Sequence, residues 1–174
     1  MQQTHATLDP LIQENWPKLK RFFRAKIPEP DCYDLVQETL LVFVKKSREK
    51  VLENPKAYLW GIARKKTLQY ITSKRAANAH FDSTIHSVLG PQTTLSARFT
   101  RHDKLINALR GLPTECQIAF ELHHGEGLTI HEVSAAMQLS PATVKRRIKD
   151  ARESLQKELA NTSLQDITKV YQAG

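Results

Sequence analysis

The chain has 174 residues, 40% of them apolar and 25% charged, with 6 Gly and 8 Pro. That content suits one packed domain or two small ones and excludes collagen-like, low-complexity and disordered classes. A net charge of +8, from 26 Lys+Arg against 18 Asp+Glu, points to a polyanionic partner, nucleic acid or an anionic membrane, and says nothing about fold. No apolar run approaches the ~20 residues of a membrane-spanning helix. The start Met1-Gln2-Gln3-Thr4-His5 is polar, so no secretory signal and no membrane insertion are expected. Cys32 and Cys116 form neither a disulfide framework nor a metal spacing, and a reducing, cytoplasmic compartment is the simplest expectation.

In chain order the periodicity is helical. From Leu8, the positions Leu11, Ile12, Trp16, Leu19, Phe22, Phe23 and Ile27 recur at steps of three and four, one stripe on one helix. Pro28 and Pro30 stop it. Asp31 is expected to cap a second helix carrying Leu35, Val36, Leu40 and Phe43. The charged stretch 45–53 reads as a loop. Asn54-Pro55 reads as N-cap plus first helical position, opening a third helix with Leu59, Ile62, Ala63 and Tyr70. Between 76 and 102 the pattern fades, and the sequence predicts a linker, because a structureless run of that length is unusual inside one domain.

The second half restarts at Asp103 with Leu105, Ile106 and Leu109. Thr114 with Gln117, and Thr129 with Glu132, have capping-box spacing. Gly125 and Gly127 are expected to end the helix between them. Ser140-Pro141 opens a last strong helix with Val144, Ile148, Ala151 and Leu155 on one side. No strand alternation is present. The expected fold is all-α: two small helical domains, 1–75 and 103–174, joined by a flexible linker over 76–102, the second containing a helix-turn-helix.

The helices expected at 129–138 and 141–157, with a short turn around Leu139, make that helix-turn-helix. On the second, Arg146 points away from the apolar side. Lys149 and Ala142 flank it, and Thr143, Lys145 and Arg147 lie towards the borders. An exposed basic face suits a major groove, since cations neutralise phosphates and Arg can pair bidentately with guanine. A merely solvated amphipathic helix would look the same in isolation. From Asn54 to Phe81 there is no acidic residue, while Lys56, Arg64, Lys65, Lys66, Lys74 and Arg75 alternate with Tyr58, Trp60 and Tyr70. Cations beside aromatics suit single-stranded nucleic acid; Trp60 and Tyr70 are each better taken, singly, as core residues. Asp31, Asp34, Gln37 and Glu38 form an acidic edge with no histidine ligand nearby, better suited to docking a basic protein than to catalysis. His123, His124 and His131 near Cys116 lack a zinc spacing. No catalytic residue, metal or cofactor is expected.

These motifs resemble a family. Asp34-Leu35-Val36-Gln37-Glu38-Thr39-Leu40 looks like the polymerase-docking motif of bacterial extracytoplasmic-function sigma factors. Trp60-Gly61-Ile62-Ala63-Arg64 resembles the start of their promoter-melting helix. Leu112-Pro113, Gly127-Leu128-Thr129, Glu132-Val133, Thr143-Val144-Lys145, Ala151-Arg152 and Leu155 are similar to their C-terminal DNA-binding domain. The resemblance covers roughly 8–75 and 103–160 in order. It implies a non-enzymatic RNA polymerase sigma factor that directs the core enzyme to promoters and assists strand opening. Asp34, Leu35, Gln37 and Glu38 would bind the β′ clamp of the polymerase core. Arg64, Lys65, Lys66, Tyr70 and Lys74 would meet the minus-ten element. Thr143, Lys145, Arg146, Arg147 and Lys149 would read the minus-thirty-five element. The implied partners are the core polymerase (β′ clamp and β flap), promoter DNA and an anti-sigma factor.

The family often has Asn at the position of Lys65, Asp at that of Gln69, a basic pair at Thr72-Ser73 and Ser at that of Arg146. The competing function is a stand-alone helix-turn-helix transcriptional regulator that binds duplex DNA without polymerase. It has no need of the motif at 34–40. A small nucleic-acid-processing enzyme is a third reading, testable at Asp34, Glu38, Cys116 and the histidines.

Overall fold

The computed structural model describes residues 3–79, 101–159 and 164–173, and every regular element among them is helical. The order is α1 Gln3–Arg24, α2 Glu29–Glu49, α3 Pro55–Ala79, α4 Arg101–Arg110, α5 Thr114–Phe120 with a π-helical turn Glu121–Gly125, α6 Ile130–Met137, α7 Pro141–Glu158 and α8 Leu164–Ala173. No described helix is long and apolar enough to cross a membrane. Most of the expected linker lies outside the described residues.

Three start signals act as the sequence predicts. Asn54 Oδ1 accepts the Ala57 amide at 2.9 Å, opening α3. Thr129 and Glu132 form a reciprocal capping box on α6, and Ser140 caps α7 with Pro141 following. Between those two helices Gln138 adopts left-handed backbone at φ 55°, which folds the chain into the helix-turn-helix.

Two other caps differ. Pro28 rather than Asp31 stands at the start of α2, and Pro113 rather than Thr114 at that of α5; neither helix has a side-chain cap. Proline's fixed φ sets up the first turn, and the polar side chains are used elsewhere. The Asp31 carboxylate receives the Tyr70 phenol, and Gln117 donates to Glu121 at 2.8 Å. The expected loop at 45–53 is shorter, because α2 runs on to Glu49. Phe43 and Ser47 are buried on its core side, and Ser47 Oγ donates to the Phe43 carbonyl at 2.8 Å.

The apolar stripes of the two halves merge. Phe22, Phe43 and Trp60 from the first half share one core with Ile118, Leu122, Val133 and Val144 from the second. Trp60 is fully buried and meets Phe22 edge-on. Gly61 permits the approach of α3 to α6: a Cβ there would lie 3.1 Å from the Ala136 carbonyl oxygen. A smaller core joins α4, Phe120, the later part of α7 and Ile167 and Tyr171 of α8.

Candidate nucleic-acid interface

On α7 the two faces separate cleanly. Val144, Ile148, Ala151 and Leu155 are buried, while Lys145, Arg146 and Lys149 are exposed. Thr143 is half-buried at the helix start, its hydroxyl 2.8 Å from that of Ser140. Lys149 pairs loosely with the exposed Glu153, at 3.8 Å. Such pairs contribute about 0–1 kcal/mol, so a phosphate can replace the carboxylate. Arg147 differs from its neighbours. It turns inward, and its Nη1 lies 3.1 Å from Glu115 Oε2.

Three basic residues of α3, Arg64, Lys66 and Lys74, are already engaged. Lys66 pairs with Glu38 at 2.6 Å, and Lys74 with Asp31 at 3.5 Å while lying 5.4 Å from the Tyr70 ring centre. Burial and the hydrogen bond to Asp31 push the Tyr70 phenol up to about 12. The same hydrogen bond holds the Asp31 carboxyl below its ordinary value. Lys65 is exposed. Arg64 donates through Nε and Nη2 to the two oxygens of Glu115, at 3.1 and 2.6 Å.

On α2, Asp34, Gln37 and Glu38 are exposed, whereas Leu35 is buried in the core. Leu41, 70% exposed, and Val42 continue the same stripe at spacings of three and four. The strip is mixed acidic and apolar, and its apolar end was not singled out in the sequence. Tyr33 is also exposed, with the Lys20 ammonium 4.7 Å from its ring centre.

Among the described residues no group of three or more His, Cys, Asp or Glu side chains is placed to hold a metal ion. His123 Nδ1 is 2.7 Å from the Leu128 carbonyl oxygen. His124 lies against Phe120 with the rings tilted 45°, and burial, with His123 and Arg152 nearby, lowers its pKa to about 4.

The junction between the halves holds charged residues that sequence reasoning missed. Lys26, in the turn after α1, is buried against Glu121 and also donates to the Phe22 carbonyl. Burial pushes the Lys26 ammonium down and the Glu121 carboxyl up, and each opposes the shift of the other. Arg21 donates from Nη2 to both oxygens of Glu126, at 2.9 and 3.0 Å. The π turn begins with Glu121 and is capped by Glu126, whose amide donates to the Glu121 carbonyl, five residues back.

Residues 102–155 match the family described as Sigma-70, region 4. Among solved structures, the chain is similar to the sigma factor RpoE of Bartonella quintana, solved in complex with the anti-sigma factor NepR. That match has 22% identity and a TM-score of 0.72 over 89% of this chain and 98% of that one. It is also similar to CnrH, solved in complex with the cytosolic domain of CnrY, with 22% identity and a TM-score of 0.65 over 91% of each chain. A comparison with the curated proteins gives no match. The fold is therefore that of the sigma factor RpoE and of CnrH, and residues 102–155 match the model of Sigma-70, region 4.

Proposed function

We propose that this chain is an RNA polymerase sigma factor that brings the core enzyme to specific promoters and assists strand opening. The observation that carries the reading is α7, which falls largely within the segment matching region 4 and exposes Lys145, Arg146 and Lys149 on one face. In this reading α7 enters the minus-thirty-five major groove, where Arg146 can donate a bidentate pair and the lysines neutralise phosphates. The strip Asp34, Gln37, Glu38, Leu41 and Val42 docks the polymerase β′ clamp. The basic side of α3, with Arg64, Lys65, Lys66, Tyr70 and Lys74, meets the opened minus-ten strand, and unstacked bases cost a few kcal/mol each. Residues 1–75 and 103–174 act as separate DNA-reading units. The second unit also meets the β flap. The chain is cytoplasmic, is not itself an enzyme, and has an anti-sigma partner, as RpoE has NepR.

A reconstituted run-off transcription assay tests this. Core polymerase and a genomic promoter library are combined with the chain, with Asp34→Arg/Glu38→Arg, or with Arg146→Ala/Lys149→Ala. Discrete transcripts lost in both variants are expected. Tight sequence-specific duplex binding without core binding or transcripts would instead establish a stand-alone regulator.

A further inference from the structure

We propose that Asp31 is a positioning residue for single-strand recognition: it holds the Tyr70 ring on the basic side of α3 as a ready-made platform on which one unpaired base stacks. The proposal deepens the sigma reading and rests on it for α3 as the helix that meets the opened strand.

Lys66, Tyr70 and Lys74 recur at steps of four and form one stripe on α3. The stripe is about 12 Å long, at about 1.5 Å per residue. A cation on either side of an aromatic ring suits an unpaired strand, whose phosphates attract the cations and whose bases have open faces. Trp60, the largest aromatic of α3, is fully buried and cannot serve. Tyr70 is half-buried and packs against the larger core.

An acid on this side calls for a reason, because a carboxylate repels the phosphates that the lysines attract. Asp31 has the chemistry of a helix cap, yet Pro28 holds the cap position and no side chain caps α2. Asp31 Oδ2 instead accepts the Tyr70 phenol and lies 3.5 Å from Lys74 Nζ. The two ties differ in strength. Lys74 with Asp31, like Lys66 with Glu38, is a surface pair of the kind that contributes little, so the ammonium can leave for a phosphate. The phenol bond is made to a carboxylate, and such bonds are roughly twice as strong as those between neutral groups. With its pKa pushed up to about 12 by burial and by this bond, the phenol stays a donor at any ordinary pH.

Tyr70 is thereby held at both ends, by its Cα on α3 and by its phenol on α2. Ordering a side chain on contact costs binding energy. Here the ring is ordered before a base arrives. The Lys74 ammonium rests 5.4 Å from the ring centre. Its departure to a phosphate uncovers the ring and leaves Asp31 with the phenol alone.

The test uses the full chain, free and bound to core polymerase, with core alone as the blank. The probe is a single-stranded thymidine oligomer of about 12 nucleotides, within the usual span of a single-strand site. It carries one central 2-aminopurine, the one purine present and so the base that stacks best, whose fluorescence falls on stacking. Asp31→Asn and Asp31→Ala remove the same charge, but Asn keeps an acceptor for the phenol. Charge alone would make both variants bind more tightly. The proposal expects Asp31→Asn to bind at least as tightly as the unaltered chain. It expects Asp31→Ala to bind at least about fivefold more weakly than Asp31→Asn, the low end of base–aromatic stacking. The 2-aminopurine quench should be kept in Asp31→Asn and lost in Asp31→Ala. In a Tyr70→Phe background the two Asp31 variants should bind alike. If Asp31→Ala loses its helical circular dichroism, Tyr70→Phe alone carries the test: the ring stays, its tether is gone, and the quench should fall. Asp31→Ala as tight as Asp31→Asn, a difference that persists in the Tyr70→Phe background, an unchanged quench in Tyr70→Phe, or no binding of the oligomer in either form would each overturn the proposal. The expected difference without core-polymerase binding would sustain it and remove the sigma reading. Core binding and promoter-dependent transcripts with the two Asp31 variants equal would do the reverse.

Discussion

Lys26 and Glu121, 95 residues apart, form a buried ion pair across the seam between the two halves of the chain. Burial disfavours the charge on each, and each compensates the other. Removing one partner strands a charge, whereas removing both does not. Lys26→Met alone is expected to cost about 3–5 kcal/mol at neutral pH, while Lys26→Met/Glu121→Leu is expected to be near neutral or stabilising. The deficit of the single variant should shrink as pH falls, because the stranded Glu121, with its raised pKa, takes a proton in the folded state first. Urea denaturation of the four-member cycle at two pH values measures both effects.

Gly125 and Tyr171 fit against one another: a Cβ at Gly125 would collide with the Tyr171 ring. Gly125→Ala must displace α8 and is expected to cost about 1–3 kcal/mol, the usual range for overpacking. In a Tyr171→Ala background the same substitution should cost much less. A denaturation cycle that finds additive costs would remove the steric explanation.

His124 links stability to pH. Its folded pKa of about 4 lies below the unfolded 6.5, so the unfolded chain binds more protons between those values. Stability contributed by the neutral ring is therefore complete above about pH 6.5 and is lost as pH falls towards 4. After allowance for solvent screening of a half-buried ring, the loss is about 1–2 kcal/mol. His124→Phe keeps the contact with Phe120 and should flatten this part of the urea-midpoint profile between pH 7 and 4.5.

Arg146 and Lys149 are exposed and belong to no core. Arg146→Ala/Lys149→Ala should change stability by no more than about 0.5 kcal/mol. The same change should reduce the salt slope of promoter binding by the holoenzyme by about 1–2. Fluorescence anisotropy across a salt series separates the two. A large loss of stability would mean that this face packs against something in the folded chain.

Much of the fold was legible in the sequence because helix signals are local. Asn54-Pro55, Thr129 with Glu132 and Ser140-Pro141 each act within one turn, and the opposed faces of α7 follow from about 100° per residue. The all-α class and the helix-turn-helix follow from these alone. Local signals also misled where another contact competed. Asp31 and Thr114 have cap chemistry, but the prolines before them begin the helices. The charged end of α2 looks like a loop until Phe43 and Ser47 are seen on the core.

Of the candidate site, sequence determined which residue types line α2, α3 and α7. Tertiary structure decided which of them are exposed. Arg146 and Arg147 are adjacent in the chain, yet one faces solvent and the other faces Glu115. Nothing local marks Lys26, Arg21, Glu121 or Glu126 as interior residues, because charged side chains are rarely buried unless paired. Their partners come from the opposite half of the chain, so their pairing and the closure of the halves depend on the packing of distant helices. Local periodicity carries no record of that packing.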